Sequence, residues 1–129
     1  MVRIKPVFIL FALVIAISSC EKMSGDDDSI AGGWSCREES DVNNIRQYSV
    51  LIDRAGAGFD TTYYVIYNFH NLGQDVETYV QLQGSTLTIR FMTEGYSASG
   101  TGYIGDDLKS IDWNYNISGS TITALYYRK

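Results

Sequence analysis

The stretch KSIDWNYNISGSTITALYYR, residues 109–128, decides the fold class of this chain. Large apolar side chains occupy every second position before its central turn: Ile111, Trp113, Tyr115 and Ile117. The same period of two resumes after Ser118-Gly119. Strict alternation is typical of strands with one buried and one solvated face, and a Ser-Gly pair between two such runs indicates a hairpin. These residues therefore predict the last two strands of an antiparallel sheet.

The same alternation runs through most of the chain and predicts eight strands, at about residues 33–39, 46–53, 62–69, 76–83, 85–91, 95–104, 109–117 and 121–128. The connections are short and rich in turn-forming residues, which favours hairpins between sequential neighbours. Eight meandering strands leave two exposed edges unless the sheet closes. The sequence therefore predicts an all-β fold, an eight-stranded antiparallel up-and-down meander closing into a small barrel, with a β-sandwich as the alternative.

The alternation also predicts which side chains face the interior. The first strand turns Trp34 and Cys36 inward, and the fifth turns Leu87, Ile89 and Phe91 inward. Cys36 has no plausible base near it in the sequence, so we interpret it as a small buried core residue and not as a nucleophile.

The N-terminus has the organisation of a secretory signal. Arg3 and Lys5 precede an apolar run from Val7 to Ile17. Eleven apolar residues are too few to span a bilayer as a helix, which needs about 20. The tetrapeptide Ile17-Ser18-Ser19-Cys20 resembles a lipobox, the recognition site of lipoprotein signal peptidase. We therefore predict a lipoprotein signal peptide over residues 1–19 and lipidation of Cys20, whose acyl chains anchor the protein in a membrane.

The residues after the cysteine are polar and acidic, with Asp26-Asp27-Asp28 at their centre. Blocks of like charge commonly form solvated tails, so residues 20–30 are predicted to be an acidic flexible tether, followed by one domain over residues 31–129. The tether also resembles the acidic export signal of surface-exposed lipoproteins in Bacteroidetes. That resemblance implies an outer-membrane location at the cell surface, with a periplasm-facing location as the alternative.

Charge and cysteine content exclude several classes of protein. Removing the signal peptide takes away two basic residues and leaves 8 basic against 15 acidic side chains, a net charge of −7. This balance argues against binding of nucleic acid. Once Cys20 is acylated, Cys36 is the remaining thiol, so no intrachain disulfide is expected.

Residues at both ends of the domain resemble a known fold family. Gly32-Gly33-Trp34 is similar to the Gly-x-Trp signature of lipocalins and related calycins, and Arg128 is in step with the inward residues of the last strand. The resemblance implies a lipocalin-like barrel in which Arg128 packs over Trp34 and closes the bottom. The domain also resembles small uncharacterised Bacteroidetes lipoproteins along four segments, residues 30–34, 66–73, 99–102 and 111–115. That group implies no activity.

The sequence contains no convincing catalytic, cofactor or metal site. Gly100 to Gly105 spells Gly-x-Gly-x-x-Gly, but a dinucleotide site needs a helix after the loop, and here Asp106-Asp107 and another strand follow. His70 is the single histidine, and no His/Cys set for zinc exists. An enzyme would have to assemble His70 with Asp106 and Asp107. We expect no enzyme activity, no cofactor and no metal.

Ten tyrosines are the most suggestive feature of the composition. We predict that four of them point outward and form a stacking surface for sugars or a partner protein: Tyr64, Tyr79, Tyr103 and Tyr127. The alternative is that tyrosine simply suits exposed strands. Separately, Asp28-Ser29-Ile30 resembles the O-glycosylation sites of Bacteroidetes proteins, which makes Ser29 a candidate for modification.

The expected function is that of a non-catalytic binding module for a small apolar ligand or a glycan. The alternative is a structural or accessory subunit that docks a partner protein in the envelope. A third possible function is inhibition of lysozyme. Residues 97–103 resemble the Ser-Gly-rich loop of membrane-bound lysozyme inhibitors. The first function predicts a hollow barrel or an aromatic patch, and the second predicts a filled barrel with a contiguous apolar patch outside.

Overall fold

The computed structural model describes residues 29–41 and 44–129. The predicted signal peptide, Cys20 and the tether up to residue 28 lie outside the described residues. Eight strands follow one another along the chain: β1 (Gly32–Ser40), β2 (Ile45–Arg54), β3 (Tyr63–Tyr67), β4 (Glu77–Gln83), β5 (Thr86–Met92), β6 (Ala98–Ile104), β7 (Ser110–Ile117) and β8 (Ser120–Arg128). A short 3-10 helix, Phe69–Asn71, lies between β3 and β4.

The sheet closes on itself. Each strand pairs antiparallel with the next, and β8 pairs with β1 from Trp34↔Arg128 to Ser40↔Ile122. The predicted up-and-down barrel is therefore confirmed, and the alternative β-sandwich is wrong. Closure gives every strand two hydrogen-bonded neighbours, although β5 pairs with β6 only from Thr86 to Thr88.

The barrel interior is filled with side chains. Trp113 is part of this packed interior. The centroid of its ring lies 5.8 Å from the centroid of the Phe69 ring and 5.7 Å from that of the Tyr126 ring. The largest fully buried side chains come from six strands and the 3-10 helix: Trp34, Trp113, Tyr126, Phe69, Ile52, Ile66, Leu87, Ile111 and Ile122. An eight-stranded barrel is just wide enough for such a packed core.

β3 is shorter than predicted because the chain turns inward after Tyr67. Asn68 has a left-handed backbone (φ 67°) and its side chain holds the turn, donating to the Ser49 carbonyl at 2.7 Å and accepting from the Gly73 amide at 2.8 Å. Phe69 then enters the barrel, 4.7 Å from the Tyr115 ring. The 3-10 helix thus plugs one end of the barrel.

The predicted inward position of Phe91 is wrong because β5 contains a bulge. Tyr79 pairs with Phe91 and Val80 pairs with Ile89, so Arg90 is an extra residue in the ladder. One extra residue shifts the alternation by one position. Phe91 therefore points outward and is 46% exposed.

The predicted contact between Trp34 and Arg128 is present. The Arg128 guanidinium carbon lies 4.2 Å from the centre of the Trp34 ring. Arg128 also donates to the carbonyls of Leu108, Ala31 and Ser29. The packed part of the chain begins earlier than the predicted boundary, because Ile30 is 2% exposed in the core and its carbonyl accepts from Trp34 Nε1 at 2.9 Å.

The two ends of the barrel differ. We call the end that carries Ser29, the loops 55–62 and 105–109 and the C-terminus the base. The opposite end, with the loops 68–76 and 93–97 and the turn 118–119, is the mouth. The described chain therefore begins at the base, at the end of the barrel opposite the mouth. Among the described residues, no helix has the length and apolar character needed to cross a membrane.

Candidate functional site

A buried carboxylate lies just inside the mouth. Glu38 continues the inward alternation of Trp34 and Cys36 on β1 and is 3% exposed. Arg46 faces it directly in the β1–β2 register. Burying a charge is costly unless it is paired and hydrogen-bonded. The surroundings of Glu38 meet that requirement.

We call the residues around this carboxylate the mouth cluster: Glu38, Arg46, Tyr48, His70 and Tyr115. Glu38 Oε2 accepts from Nε of Arg46 at 3.1 Å and from its Nη2 at 2.9 Å. Glu38 Oε1 accepts from the Tyr48 hydroxyl at 2.5 Å and lies 3.1 Å from His70 Nδ1. The Tyr115 hydroxyl lies 2.9 Å from the same histidine nitrogen. The cluster joins β1, β2, β7 and the 3-10 helix.

These contacts control the ionisation of the cluster. Burial acts to raise the pKa of Glu38, but hydrogen bonds from His70, Tyr48 and Arg46 outweigh it and lower that pKa to about 2. Burial raises the pKa of the Tyr48 and Tyr115 hydroxyls. Burial also raises the pKa of the Cys36 thiol to about 11, which keeps it protonated and agrees with a core role.

The backbone holds His70 in an uncommon conformation. Asn68, His70 and Asn71 all have positive φ, at 67°, 56° and 59°. Such residues cost about 1–3 kcal/mol each and persist only where the surroundings fix them. Here the Arg46 Nη2 group donates to the His70 carbonyl at 3.1 Å, so the mouth cluster fixes this loop.

A pocket of about 340 Å³ opens above the mouth cluster. Glu38, Arg46 and His70 form part of its wall, and the remaining described lining residues are Ser40, Asn44, Leu72, Tyr96, Ile117, Ser118, Ser120 and Ile122. The Oγ atom of Ser40 is buried and has no hydrogen-bond partner among the described residues. The pocket therefore combines hydrogen-bonding groups with an apolar side.

A second feature lies on the outer wall of the barrel. We call it the outer aromatic surface, and it consists of Phe59, Tyr63, Tyr79 and Phe91. The Phe59 ring stacks on Tyr79 at 4.8 Å and lies 5.5 Å from Tyr63. The Tyr79 ring stacks on Phe91 at 4.7 Å. The bulge at Arg90 creates this surface, because it turns Phe91 outward beside Tyr79.

Planar polar groups border the outer aromatic surface. Glu77 Oε1 accepts from the Tyr79 hydroxyl at 2.7 Å, and this bond, with a smaller effect of burial, raises the pKa of Tyr79 to about 12. Gln81 Oε1 accepts from Nε and Nη2 of Arg90 at 3.0 and 2.8 Å. A carboxylate is thus bonded to one ring of the surface, and an amide and a guanidinium come from residues paired with Tyr63 and next to Phe91.

The four tyrosines predicted to form one surface do not do so. Tyr79 belongs to the outer aromatic surface, whereas Tyr103 and Tyr127 are exposed on β6 and β8, at 59% and 41%. The outward position predicted for Tyr64 is wrong, because Tyr64 is 5% exposed and belongs to the core with Ile66. Residues 62–67 carry no polar alternation, so their inward face was ambiguous in the sequence.

Other predicted residues are distributed as follows. His70 lies at the mouth, and Asp106 and Asp107 lie at the base, so these three do not form one site. Gly100 to Gly105 runs through β6 into the turn before β7. Ser29 is half-buried, and its Oγ accepts from the Ala31 amide at 3.0 Å. No three His, Cys, Asp or Glu residues of the described part form a group that could hold a metal ion.

No protein-family model matches this chain, and no curated protein matches its sequence. Two designed proteins of known structure have a similar fold. A redesigned β-barrel aligns with a TM-score of 0.57 at 12% identity, over 78% of this chain and 91% of that one. A de novo designed fluorescence-activating β-barrel aligns with a TM-score of 0.54 at 13% identity, over 77% and 93%. At these identities the likeness supports the barrel fold alone.

Proposed function

We propose that this chain is a lipid-anchored outer-membrane lipoprotein, displayed at the cell surface, whose lipocalin-like barrel is a non-catalytic glycan-binding module. The observation that carries the proposal is the outer aromatic surface with its polar border. The lipobox-like residues before Cys20 and the acidic segment behind it support the location.

The packed interior favours a glycan over an apolar ligand inside the barrel. A ligand within the barrel needs space among the inward side chains, and Trp34, Trp113 and Tyr126 are fully buried there. Displacing such closely packed rings would cost several kcal/mol. A ligand is therefore expected on the wall or at the mouth, where polar groups are available.

The outer aromatic surface has the chemistry that sugars need. A sugar ring presents C–H groups on its faces and hydroxyls at its edge. Aromatic rings supply contact area for the faces, and charged or amide groups make strong hydrogen bonds to the edge. Phe91 is the most exposed ring of the surface. Glu77 is hydrogen-bonded to its neighbour Tyr79, and Arg90, which precedes Phe91, is hydrogen-bonded to Gln81. The convex wall suits an extended chain better than a small molecule, which it cannot enclose.

A docked partner protein is the second candidate function. Leu51 is also exposed on the outer wall, on β2 opposite Tyr67, so the four rings are not the whole of the apolar area outside the barrel. Aromatic anchors with a polar rim are also typical of protein interfaces. A partner of this kind would be recovered by crosslinking at Phe91 in cells, whereas a glycan receptor would be recovered as the monomer.

We expect Phe91→Ala to weaken polysaccharide binding about tenfold, equivalent to about 1.4 kcal/mol, because it removes the most exposed stacking ring. Affinity electrophoresis with laminarin, xylan, mannan and pullulan measures this. Tyr103→Ala, which removes an exposed aromatic ring from another strand, is the matched control and should bind normally. Equal retardation of wild type and Phe91→Ala by every polysaccharide that binds, or no binding to any, would contradict the proposed function.

The anchor has its own test. We expect Cys20→Ala to abolish acylation and processing by lipoprotein signal peptidase, because the sulfur that carries the lipid is gone. Metabolic labelling with palmitate, together with globomycin treatment, measures both steps, and Cys36→Ala is the control that should label normally. Undiminished palmitate labelling of Cys20→Ala would overturn the assignment as a lipoprotein.

A further inference from the structure

We propose that the mouth pocket is a second binding site, built for a single neutral sugar residue whose hydroxyls meet His70 and Ser40. The location of this site is independent of the outer aromatic surface. Its ligand class rests on the proposed glycan-binding function, so the tests below separate the two.

The charges of the pocket favour a neutral ligand. Glu38 and Arg46 cancel one another, and both oxygens of Glu38 are already hydrogen-bonded. The carboxylate is therefore not free to bind a cation. Asp41, Asp75 and Glu94 are exposed in the loops at the mouth, and the whole chain carries a net charge of −5, so an anion would be repelled.

The hydrogen bonds assign the proton of His70. Nδ1 lies 3.1 Å from Glu38 Oε1, and a bare lone pair at that nitrogen would face a carboxylate lone pair. Nδ1 therefore carries the hydrogen, and the Tyr115 hydroxyl, 2.9 Å from that nitrogen, donates to Glu38 Oε1 instead, at 3.4 Å. In the neutral ring, Nε2 is then an acceptor, and His70 forms part of the pocket wall. A carboxylate that fixes one ring nitrogen in this way orients the other toward a ligand.

The rest of the pocket complements a sugar ring. Ser40 Oγ is buried without a partner among the described residues, and Asn44, Ser118 and Ser120 add further donors and acceptors. The apolar part of the lining consists of Leu72, Tyr96, Ile117 and Ile122. A sugar ring carries hydroxyls and C–H faces together, which matches this division. About 340 Å³ is near the lower end of ligand pockets, enough for one residue rather than a chain.

The site is organised before any ligand arrives. The positive φ of His70 is held by the hydrogen bond that Arg46 donates to its carbonyl and by the inserted Phe69. Fixing a side chain in its binding position in advance lowers the entropy cost of association. Backbone strain of this kind is found at binding sites, where the surrounding structure maintains it.

The experiment uses the full-length lipoprotein in detergent micelles, labelled with ¹⁵N and titrated with glucose, galactose, mannose and N-acetylglucosamine. His70 is the single histidine, so its ring nitrogens give one unambiguous pair of signals. We expect at least one sugar to shift the Nε2 signal with an affinity on the order of millimolar. Tyr96→Ala and Ser40→Ala should each lower the affinity measured from that shift about tenfold. Both residues line the pocket, and neither belongs to the mouth cluster.

Two controls separate this proposal from the proposed function. Phe91→Ala should leave the monosaccharide titration unchanged while polysaccharide binding falls. Glucuronate and inorganic phosphate should not shift the Nε2 signal. If none of the four sugars shifts the His70 Nε2 signal, the proposed mouth site is wrong, even if polysaccharides still bind. A shift that survives both lining variants, or a stronger response to either anion, also overturns it. Monosaccharide binding without polysaccharide binding would overturn the outer-wall function and support the mouth site.

Discussion

Gly102→Ala is expected to lower the free energy of unfolding by about 3 kcal/mol, the upper part of the range for overpacking a core. A Cβ atom at Gly102 would lie 2.8–2.9 Å from three carbons of the Trp113 ring. That ring is fully buried between Phe69 and Tyr126 and has no room to retreat. The loss is measured as the shift of the urea midpoint at unchanged slope.

Two further variants identify the cause of that loss. Gly33→Ala is the matched control, because its Cβ would lie 3.5 Å from the Lys129 side chain, an ordinary contact. Its stability should change by less than about 1 kcal/mol. Trp113→Phe in the Gly102→Ala background should recover part of the loss, because the smaller ring vacates the space. Strictly additive effects of Gly102→Ala and Trp113→Phe would show that the clash with the ring is not the cause.

Glu38→Gln is expected to cost about 3 kcal/mol at neutral pH, the low end of the range for breaking a buried ion pair, because Glu38 is buried but the Arg46 side chain is 37% exposed. The neutral amide leaves Arg46 without its counter-charge, and its NH₂ group replaces one of the two accepting oxygens. Urea unfolding of both proteins measures the difference. Glu39→Gln is the matched control, because Glu39 pairs with Arg37 on the surface and should contribute less than about 1 kcal/mol.

The cost of Glu38→Gln should also depend on pH. The pKa of Glu38 is lowered from 4.5 to about 2 in the folded protein, so its ionised form stabilises the fold fully above about pH 4.5. This contribution is lost as the pH falls through the folded value, since Glu38 is then protonated in both states. The difference between wild type and Glu38→Gln should therefore shrink between about pH 4.5 and pH 2. A difference that stays constant down to pH 2 would contradict the role given to the ionised carboxylate.

Most of the fold could be predicted because alternation is a local property of a strand. The eight predicted strands correspond to the eight observed ones, and residues 110–117 alternate between buried and exposed as their sequence indicates. The number of strands and the short connections favoured closure, with a β-sandwich as the alternative. The contact of Arg128 with Trp34 was predicted from a family resemblance and from the inward parity of Arg128, and the structure contains it.

The errors have a common physical cause. Phe91 points outward because Arg90 is an extra residue in β5. A bulge exists only relative to the partner strand, so the sequence of β5 alone could not reveal it. Tyr64 lies in a run of apolar and aromatic residues where either face could be buried, and the pairing with β4 decides between them. The outer aromatic surface was therefore only partly foreseeable, through Tyr79.

The sequence by itself determined the strands and their order, and it favoured a closed barrel over a β-sandwich. The alternation of β1 and β2 also puts Glu38 and Arg46 on the inward side, a signal of a paired charge that was missed among the predicted site residues. Only the tertiary structure decided what surrounds them. Tyr48, His70 and Tyr115 lie 10, 32 and 77 residues from Glu38 along the chain, and they meet because the sheet closes and the 3-10 helix turns inward. Hydrogen bonds require atoms within about 3 Å, and the period of a strand carries no information about distances between remote segments.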